Sequence, residues 1–296
     1  MSQRTVAFLT SSNMVVDGTN KREDSYEHDL EFGLFNEAAK TRNIKLVEVV
    51  WDEPDINWRQ FDAVLVGTTW DYVQKRELFF AVMQQIDSQT LLLNSLETLK
   101  SNSDKQYLLD LAVKGVPTIP TISVDLVTAE NVAAAFESFA TDKLVIKPKI
   151  GAGAWRQVLL GKDQPIPPAN ELPEAGALLQ PFLPSIQSHG ELSMLFYDGE
   201  FSHAIRKTPK IGDYRIQSVY GGIDTKDEPS HQEMQLAKTA LSALYEMPLY
   251  ARVDIVLGLD MQPLLIELEM IEPYHYVEQG ANCGNMLMQA LLRRLQ

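Results

Sequence analysis

Short apolar runs alternate with helix-period segments through the first third of the chain. This alternation is typical of α/β architecture, in which helices cross over an open, largely parallel sheet. Ligands of such sheets usually bind at the carboxyl ends of the strands. We therefore expect a small open sheet whose strand-end loops help to form a binding site. The predicted strands are 5–11, 44–51, 61–70 and 90–94, with helices at 28–43 and 75–87.

The later two thirds of the chain combine helices with paired strands. A capped helix is predicted in 101–114, and the proline-rich stretch 162–176 indicates an exposed connection. Asp198-Gly199 separates two apolar runs and predicts a hairpin. A second hairpin-like link joins the strands 249–258 and 262–272. The pattern predicts an α/β (α+β) chain divided into residues 1–100, 101–183 and 184–296.

Charge and composition argue against several classes of partner. The chain has 26 Lys and Arg against 40 Asp and Glu, a net charge of −14, whereas general nucleic-acid binding needs a basic surface. No run of about eighteen apolar residues occurs, so no membrane span is expected. The N-terminus lacks a signal-peptide pattern, and the single Cys283 suits a reducing compartment. These features predict a cytoplasmic protein.

Carboxylates interrupt an apolar strand near the end of the chain. In LLIELEMIEP, Glu267 and Glu269 are two positions apart and project from one strand face. Asp254 lies in the preceding strand, which is expected to pair with the strand that carries Glu267 and Glu269. Gathered carboxylates repel one another unless a cation is present, and an all-oxygen donor set favours Mg²⁺ or Mn²⁺. The alternative is a solvated strand face with Arg252 and Lys207 as salt-bridge partners, and the pattern leaves both interpretations open.

Lysines and a glycine-alanine loop could supply an anion site to this acidic chain. Lys105 lies near the start of a helix, and Lys147 ends an apolar strand shortly before Gly151-Ala152-Gly153-Ala154. Small residues let backbone N–H groups approach a phosphate closely, although an ordinary tight turn explains such a loop equally well. Neither the P-loop pattern nor the spaced dinucleotide fingerprint occurs.

A basic segment at 206–215 stands out from the acidic balance of the chain. The planar guanidinium of Arg215 suits phosphate or carboxylate oxygens. A solvated basic loop is a reasonable interpretation of Lys210. It is less natural for Lys207 and Arg215, which lie in strand-like or glycine-bounded surroundings.

Taken in their order along the chain, these segments resemble the ATP-grasp superfamily, and within it the branch of prokaryotic glutathione synthetase and the ribosomal-protein glutamate ligases. The run LLQPFLPSIQSHGELSMLFYDGEFSHAIRKTPKIGDYRIQSVYGG is similar to the hinge, hairpin and phosphate-facing loop of that branch. RVDIV and LLIELEMIEP are similar to its metal-binding strand pair. The likeness extends from about Ser101 to Gln296. The WDY at 70–72 and the ExExxEP ending, in place of the common ExN, look more like the cycloserine-forming cyclo-ligase type.

The resemblance implies an ATP-grasp fold, with an N-terminal α/β domain, a central lid domain and a C-terminal antiparallel-sheet domain. It also implies site residues. The nucleotide positions fall at Lys105, Lys147, Gly151, Ala152, Gly153, Gln180, Phe182, Leu183 and Glu191. The magnesium positions fall at Asp254, Glu267 and Glu269, and the catalytic positions at Arg215, Lys207 and Arg252.

The residues expected to contact substrate are less closely defined. Arg206 and Arg252 are candidates for the substrate carboxylate, with salt-bridge roles equally open. Trp70, Asp71 and Tyr72 follow a predicted strand end. Core packing is the favoured role of Trp70, and Asp71 is the better candidate for contacting an amine.

The implied function is an ATP- and Mg²⁺-dependent, ADP-forming carboxylate–amine ligase or cyclo-ligase that acts through an acyl-phosphate. Its partners would be small-molecule carboxylates and amines, and a homodimer is one expected state because dimers are frequent in the superfamily. Two alternatives stay open. One is a small-molecule kinase on the same fold, and the other is a nucleotide-binding protein without turnover.

Overall fold

Three β-sheets with flanking helices make up the structure, a computed structural model. It describes residues 3–15, 20–151, 153, 155–210, 212–213, 215–216 and 221–296. The sheets follow one another along the chain, and the first is parallel while the other two are antiparallel. The predicted mixed α/β architecture is confirmed. Within the described ranges, no helix has the length and apolar character needed to cross a membrane.

The first sheet has four parallel strands in the order β2-β1-β3-β4. Strand β3 ends at Val66, earlier than predicted, because the chain leaves the sheet at Gly67. A Cβ on Gly67 would lie 2.2 Å from the ring of Phe8, so only glycine fits this close approach. The elements are β1 Arg4–Thr10, α1 Tyr26–Lys40, β2 Ile44–Val50, β3 Ala63–Val66, α2 Arg76–Asp87 and β4 Leu91–Leu93.

Two short helices, α3 Leu96–Asn102 and α4 Tyr107–Val113, lead from the first sheet to the second. The sequence predicted one helix here. The break between them places Lys105 in a turn, where its backbone N–H donates to the carbonyl of Lys149 at 2.8 Å. Lys105 is therefore tied to the end of a strand of the second sheet.

The second sheet has the order β5-β8-β6-β7 and is antiparallel throughout. One helix covers it, and Thr128 caps that helix with a reciprocal capping box. The elements are β5 Ile122–Val124, α5 Ala129–Phe139, β6 Lys143–Pro148, β7 Val158–Gly161 and β8 Ala177–Pro181.

The third sheet has the order β11-β10-β9-β12-β13 and contains the predicted hairpin. Asp198 and Gly199 both have positive φ, 52° and 78°, as a tight two-residue hairpin turn requires. The elements are α6 Ser185–Ser188, β9 Glu191–Tyr197, β10 Glu200–Thr208, β11 Ile223–Asp227, α7 His231–Ser242, β12 Tyr250–Leu257, β13 Pro263–Glu269 and α8 Cys283–Arg294.

The first and third sheets share a core. Helix α8 returns to pack against α1, and Leu287 and Leu291 join Phe8 and Phe35 in one buried cluster. The side-chain amide of Asn94, at the end of β4, donates to the carbonyls of Tyr250 and Met270, both at 2.9 Å. These contacts bring the end of β13 close to the carboxyl ends of the first sheet.

Candidate active site

The paired strands β12 and β13 place charged side chains on one face of the third sheet. Asp254 lies opposite Glu267 and Arg252 lies opposite Glu269 in the strand register. The intervening Val253 and Leu268 project to the other face, into the core beneath α7. Strand alternation therefore separates a charged face from an apolar one, as period-two patterning requires.

The carboxylates on this face are held by buried cations. The Arg252 guanidinium donates to both oxygens of Asp254, with Nη2 2.9 Å from Oδ2, and Nη2 also donates to Glu269. Lys207 Nζ lies 3.0 Å from Glu191 Oε1 and 3.7 Å from Asp254 Oδ2. The salt-bridge partners of the solvated-face interpretation are thus present. The face is solvated only in part, because Asp254 is 2% exposed whereas the side chains of Glu267 and Glu269 are about a third exposed.

Two lysines approach the same face from the second sheet and its connection. Lys105 Nζ lies 3.0 Å from Glu267 Oε1 and donates to the Gly151 carbonyl at 2.6 Å. Lys147 Nζ is 3.5 Å from the carbonyl of Ile266. Burial, together with repulsion from Lys105, lowers the pKa of Lys147 to about 8, although Glu267 opposes this. Lys147 would gain from a further negative group nearby.

Among the described residues, five carboxylates and four cations form a set that we call the charged cluster. Burial, reinforced by neighbouring carboxylates, raises the pKa of Glu269 to about 7 and holds that of Glu272 well above its usual range. Despite burial, Arg252 and Lys207 keep the pKa of Asp254 low. The charged cluster consists of Glu191, Asp254, Glu267, Glu269, Glu272, Lys105, Lys147, Lys207 and Arg252.

The donor set of Asp254, Glu267 and Glu269 fits a hard divalent cation, because every donor is a carboxylate oxygen and part of the charge is not neutralised. In the part of the chain that the structure describes, no three His, Cys, Asp or Glu side chains already converge as a metal-binding group. Arg252 forms ion pairs with both Asp254 and Glu269, and Lys105 forms an ion pair with Glu267. A metal at this position would have to displace those pairs.

A buried apolar cluster adjoins the charged cluster between the second and third sheets. Phe182 and Leu183 are buried there with Val256, and Ile266 packs against them. The Gln180 side-chain amide donates to Thr121 Oγ1 at 2.8 Å. The Phe182 N–H donates to the Lys143 carbonyl at 2.9 Å, and the Leu183 carbonyl accepts from the N–H of Ile186 at 3.1 Å. The predicted hinge residues thus lie in or beside an apolar cluster between the two sheets.

The glycine-alanine loop follows β6 and contacts Lys105. Gly153 has φ of 62°, in the region that favours glycine. Gly151 is joined to Lys105 through its carbonyl. Ala152, also predicted to bind nucleotide, lies outside the described residues.

The two arginines of the basic segment lie in different places. Arg206 projects to the face opposite Lys207, where its Nε is 2.5 Å from Asp227 Oδ2 and its Nη2 is 3.3 Å from Glu233 Oε1. The structure therefore does not bring Arg206 to the charged cluster. Arg215 lies in the loop between β10 and β11, with its Nη2 2.8 Å from Asp213 Oδ2.

The strand-end residues of the first sheet border a separate cavity of about 350 Å³. Asp71 accepts from Trp51 Nε1 at 2.7 Å and lies 2.9 Å from Lys75 Nζ. Trp70 donates from Nε1 to the carbonyl of Glu272 at 3.0 Å, which links this cavity to the charged cluster. Tyr72 is buried. The cavity lining is Ser12, Asn13, Asn20, Arg22, Trp70, Asp71, Gln74 and Lys75.

Sequence reasoning missed Tyr276 and Glu31. The ring of Tyr276 lies against both Lys207 and Arg252. Glu31, on α1, is fully buried and accepts from the backbone N–H of His275 at 3.0 Å through Oε2. Its Oε1 has no hydrogen-bond partner among the described residues. Neither residue belongs to a spaced motif, so only the fold reveals that they lie beside the site.

We expect Glu31→Gln to become progressively more stabilising as pH rises. Burial raises the pKa of Glu31 to about 8 from its ordinary 4.5. The folded protein then keeps a proton that the unfolded chain releases, so Glu31 lowers the stability of the wild type as pH rises between those values. The difference in unfolding free energy between variant and wild type should grow by about 1.4 kcal/mol per pH unit over this window.

Urea unfolding of both proteins at intervals from pH 5 to pH 8 measures this difference. Glu37→Gln is the matched control, because Glu37 is an exposed glutamate on the same helix. A constant difference across the window would show that Glu31 ionises normally inside the folded protein.

Comparison with known proteins places this geometry among ligases. The family model for the N-terminal domain of the D-cycloserine synthetase DcsG matches residues 6–94. The cycloserine biosynthesis protein DcsG of Streptomyces lavendulae is 27% identical over 277 residues, covering 88% of this chain and 92% of that protein.

Solved structures show the same fold. The crystal structure of D-cycloserine synthetase DcsG aligns with a TM-score of 0.84 at 24% identity, covering 99% of this chain and 100% of that one. The ATP-grasp ligase PsnB, in complex with a phosphomimetic variant of its minimal precursor, Mg and ADP, aligns with a TM-score of 0.65 at 14% identity over the full length of both chains. The chain has the ATP-grasp fold, and its predicted resemblance to ligases near the cycloserine-forming type is confirmed. These likenesses support an ATP-dependent ligase.

Proposed function

We propose that this chain, which has the ATP-grasp fold, is an ADP-forming ligase that depends on ATP and Mg²⁺. It would activate a small carboxylate as an acyl-phosphate and join it to an amine, either on a second molecule or within the same one. The observation that carries the proposal is the charged cluster, in which carboxylates and cations meet on one sheet face beside a buried apolar cluster.

The apolar cluster and the two lysines beside it suit a nucleotide. An adenine ring would pack against Phe182 and Leu183, with Gln180 and Glu191 at its polar edge. Lys105 and Lys147 would bind the phosphates. The phosphates would supply negative charge beside Lys147, and its lowered pKa indicates that such charge is needed to stabilise the ammonium form. Gly151, Ala152 and Gly153 would cover the phosphates with backbone N–H groups.

Asp254, Glu267 and Glu269 would hold Mg²⁺. Mn²⁺, which also accepts carboxylate oxygens, is the alternative ion for the same site. When bound, the ion would neutralise the surplus carboxylate charge and withdraw charge from the phosphate oxygens. The raised pKa of Glu269 supports this role, because a carboxylate that is costly to ionise alone is a favourable partner for a cation.

Lys207, Arg252 and Arg215 would steady the transferring phosphoryl group. Phosphoryl transfer depends mainly on positioning and on neutralising charge, which fixed guanidinium and ammonium groups provide. Lys207 and Arg252 are already held in place by Glu191 and Asp254. Closure of the glycine-alanine loop would exclude water and so protect an acyl-phosphate from hydrolysis.

The cavity beside Trp70 would admit a small amino-acid-like substrate. Its volume of about 350 Å³ lies at the lower end of the range for small-molecule sites. It contains groups of both signs, Asp71 with Lys75 and Arg22, which suits a molecule carrying both a carboxylate and an amine. The name of the Streptomyces lavendulae relative, a cycloserine biosynthesis protein, supports a substrate of this size.

A screen for ADP release tests the proposal. The purified protein is incubated with ATP, Mg²⁺ and amino acids or small carboxylates, singly and in pairs, with Asp254→Asn as the inactive control. We expect ADP and free phosphate to form together and to depend on the organic compounds. Response only to a pair indicates ligation of two different compounds, and response to a single compound indicates either cyclisation or the joining of two copies, which the mass of the product distinguishes. ADP without free phosphate would indicate a kinase, and no turnover with any compound would contradict a ligase.

A further inference from the structure

Tyr276 lies over the two catalytic cations of the charged cluster. Its ring centroid is 5.4 Å from Lys207 Nζ and 5.8 Å from Arg252 Cζ. Both distances are within the range of cation–π attraction, which is strongest when the cation is withdrawn from water. Lys207 and Arg252 are 5% and 7% exposed, so this condition is met. One ring therefore contacts both cations.

The backbone holds this ring in place at some cost. Tyr276 has φ of 46°, a left-handed conformation that bulky side chains seldom adopt. Such strain persists only where the surroundings determine it fully. Hydrogen bonds to its neighbours provide these surroundings. The His275 N–H donates to the Glu31 carboxylate, and the His275 carbonyl accepts from the ring N–H of His203. The Tyr276 carbonyl accepts from the N–H groups of Gln279 and Gly280.

An aromatic row connects Tyr276 to the cavity of the first sheet. The Tyr274 ring lies 4.8 Å from that of Tyr276, and 6.1 Å from that of Trp70 in an edge-to-face arrangement. Trp70 in turn borders the cavity. The ring of Tyr276 is thus fixed between the proposed substrate cavity and the charged cluster.

The ion pairs of Lys207 and Arg252 conflict with the proposed metal site. Arg252 is paired with Asp254 and Glu269, and Lys207 with Glu191 and Asp254. Asp254 and Glu269 are also proposed metal ligands, so both cations lose partners when these carboxylates turn to a metal. An aromatic ring is not a ligand that Mg²⁺ takes, since this ion prefers oxygen. Metal binding would therefore leave the ring of Tyr276 as the partner that is still available to both Lys207 and Arg252.

We propose that Tyr276 is a positioning residue that keeps Lys207 and Arg252 aimed at the transferring phosphoryl group when their carboxylate partners are engaged elsewhere. The inference rests on the proposed function for its purpose, but the contact between ring and cations is a property of the free protein. The aromatic ring, and not the hydroxyl, performs this role. Loss of the ring lowers turnover more than it lowers ATP affinity.

Three variants test the role of the ring. Tyr276→Phe keeps it, whereas Tyr276→Asn removes it and tolerates the left-handed backbone. Tyr276→Gly serves if the Asn variant does not fold, and Tyr245→Leu is the control, because Tyr245 is 87% exposed. With the best compound of the ADP-release screen, we expect kcat to fall about tenfold or more in Tyr276→Asn, with KM for ATP within about threefold. The Phe and control variants stay near the wild type.

A spectroscopic readout needs no turnover. The buried Arg252 Nε–H gives a nitrogen–proton NMR signal, which is assigned by its loss in Arg252→Lys. A nearby aromatic ring changes the chemical shift of this signal. We expect this signal to keep its position in Tyr276→Phe and to move in Tyr276→Asn. With Mg²⁺ and the ATP analogue AMPPNP, it stays sharp in the Phe variant and broadens in the Asn variant.

Two results would overturn the inference. One is wild-type behaviour of Tyr276→Asn in both measurements, which would leave the ring without a role. The other is equal loss in the Phe and Asn variants, which would assign the role to the hydroxyl. If no compound elicits ADP from the wild type, the proposed function fails, and the free-protein spectra still decide whether the ring holds Arg252.

Discussion

Glu269→Ala is expected to lower ADP production by about a thousandfold while leaving the fold intact. The variant removes one of the three proposed metal carboxylates. Burial raises the pKa of Glu269 to about 7 although Arg252 opposes this, so a further cation would favour the ionised carboxylate. The fold should survive because Glu269 lies at the end of β13 with 31% of its side chain exposed. Arg252 would also keep its pairing with Asp254 at 2.9 Å.

A coupled ADP assay over a range of Mg²⁺ concentrations measures this effect, with thermal unfolding as the check on folding. Glu137→Ala is the matched control, since Glu137 is exposed on α5 and has no proposed role. Partial recovery of the Ala variant at high Mg²⁺ would agree with a weakened metal site. Full activity of Glu269→Ala at all Mg²⁺ concentrations would refute the metal assignment.

Arg215→Ala is expected to lower kcat by about a hundredfold or more, with ATP affinity changed only a few-fold. Arg215 is proposed to stabilise charge that develops during phosphoryl transfer. Removing a group that acts mainly in the transition state lowers kcat and leaves ground-state binding largely unchanged. In the structure Arg215 pairs with Asp213 at 2.8 Å, so it must leave that partner to reach a phosphate.

Rates of ADP release and calorimetric binding of ATP separate the two quantities. Arg59→Ala is the control, because Arg59 is an exposed arginine between β2 and β3 with no proposed role. If kcat and ATP affinity fell by the same factor, Arg215 would be a nucleotide-binding residue without a special part in the transition state.

Strand alternation predicted the most informative part of the site. Glu267 and Glu269 share a face because they are two positions apart. Asp254 lies opposite Glu267 because the register of the short hairpin shifts by one residue between Asp254 and Ile255. The same logic applied to Asp198-Gly199, where turn chemistry specifies the hairpin. Local rules of this kind are readable from sequence because they involve neighbouring residues.

The residues that sequence reasoning missed or left open depend on contacts between distant segments. Strand β11, IDTKD, is too polar to predict and exists because it pairs with β10. Tyr276 meets Lys207 and Arg252 only through the fold. Arg206 is a different case, since its adjacency to Lys207 in a strand already implies opposite faces. That signal was available, and its use would have favoured a salt-bridge role.

The shared core of the first and third sheets has a consequence for how the molecule can open. Tyr197 and Tyr250 of the third sheet are buried in one cluster with Val6 and Phe8 of the first, and α8 closes over both. The second sheet has its own core, built from residues such as Phe136 and Leu144. A hinge motion of the second sheet would leave this shared core intact and would part Val145 and Leu159 from Val256. Under the proposed function, nucleotide would enter and leave without disturbing the alignment of the proposed substrate cavity with the carboxylates.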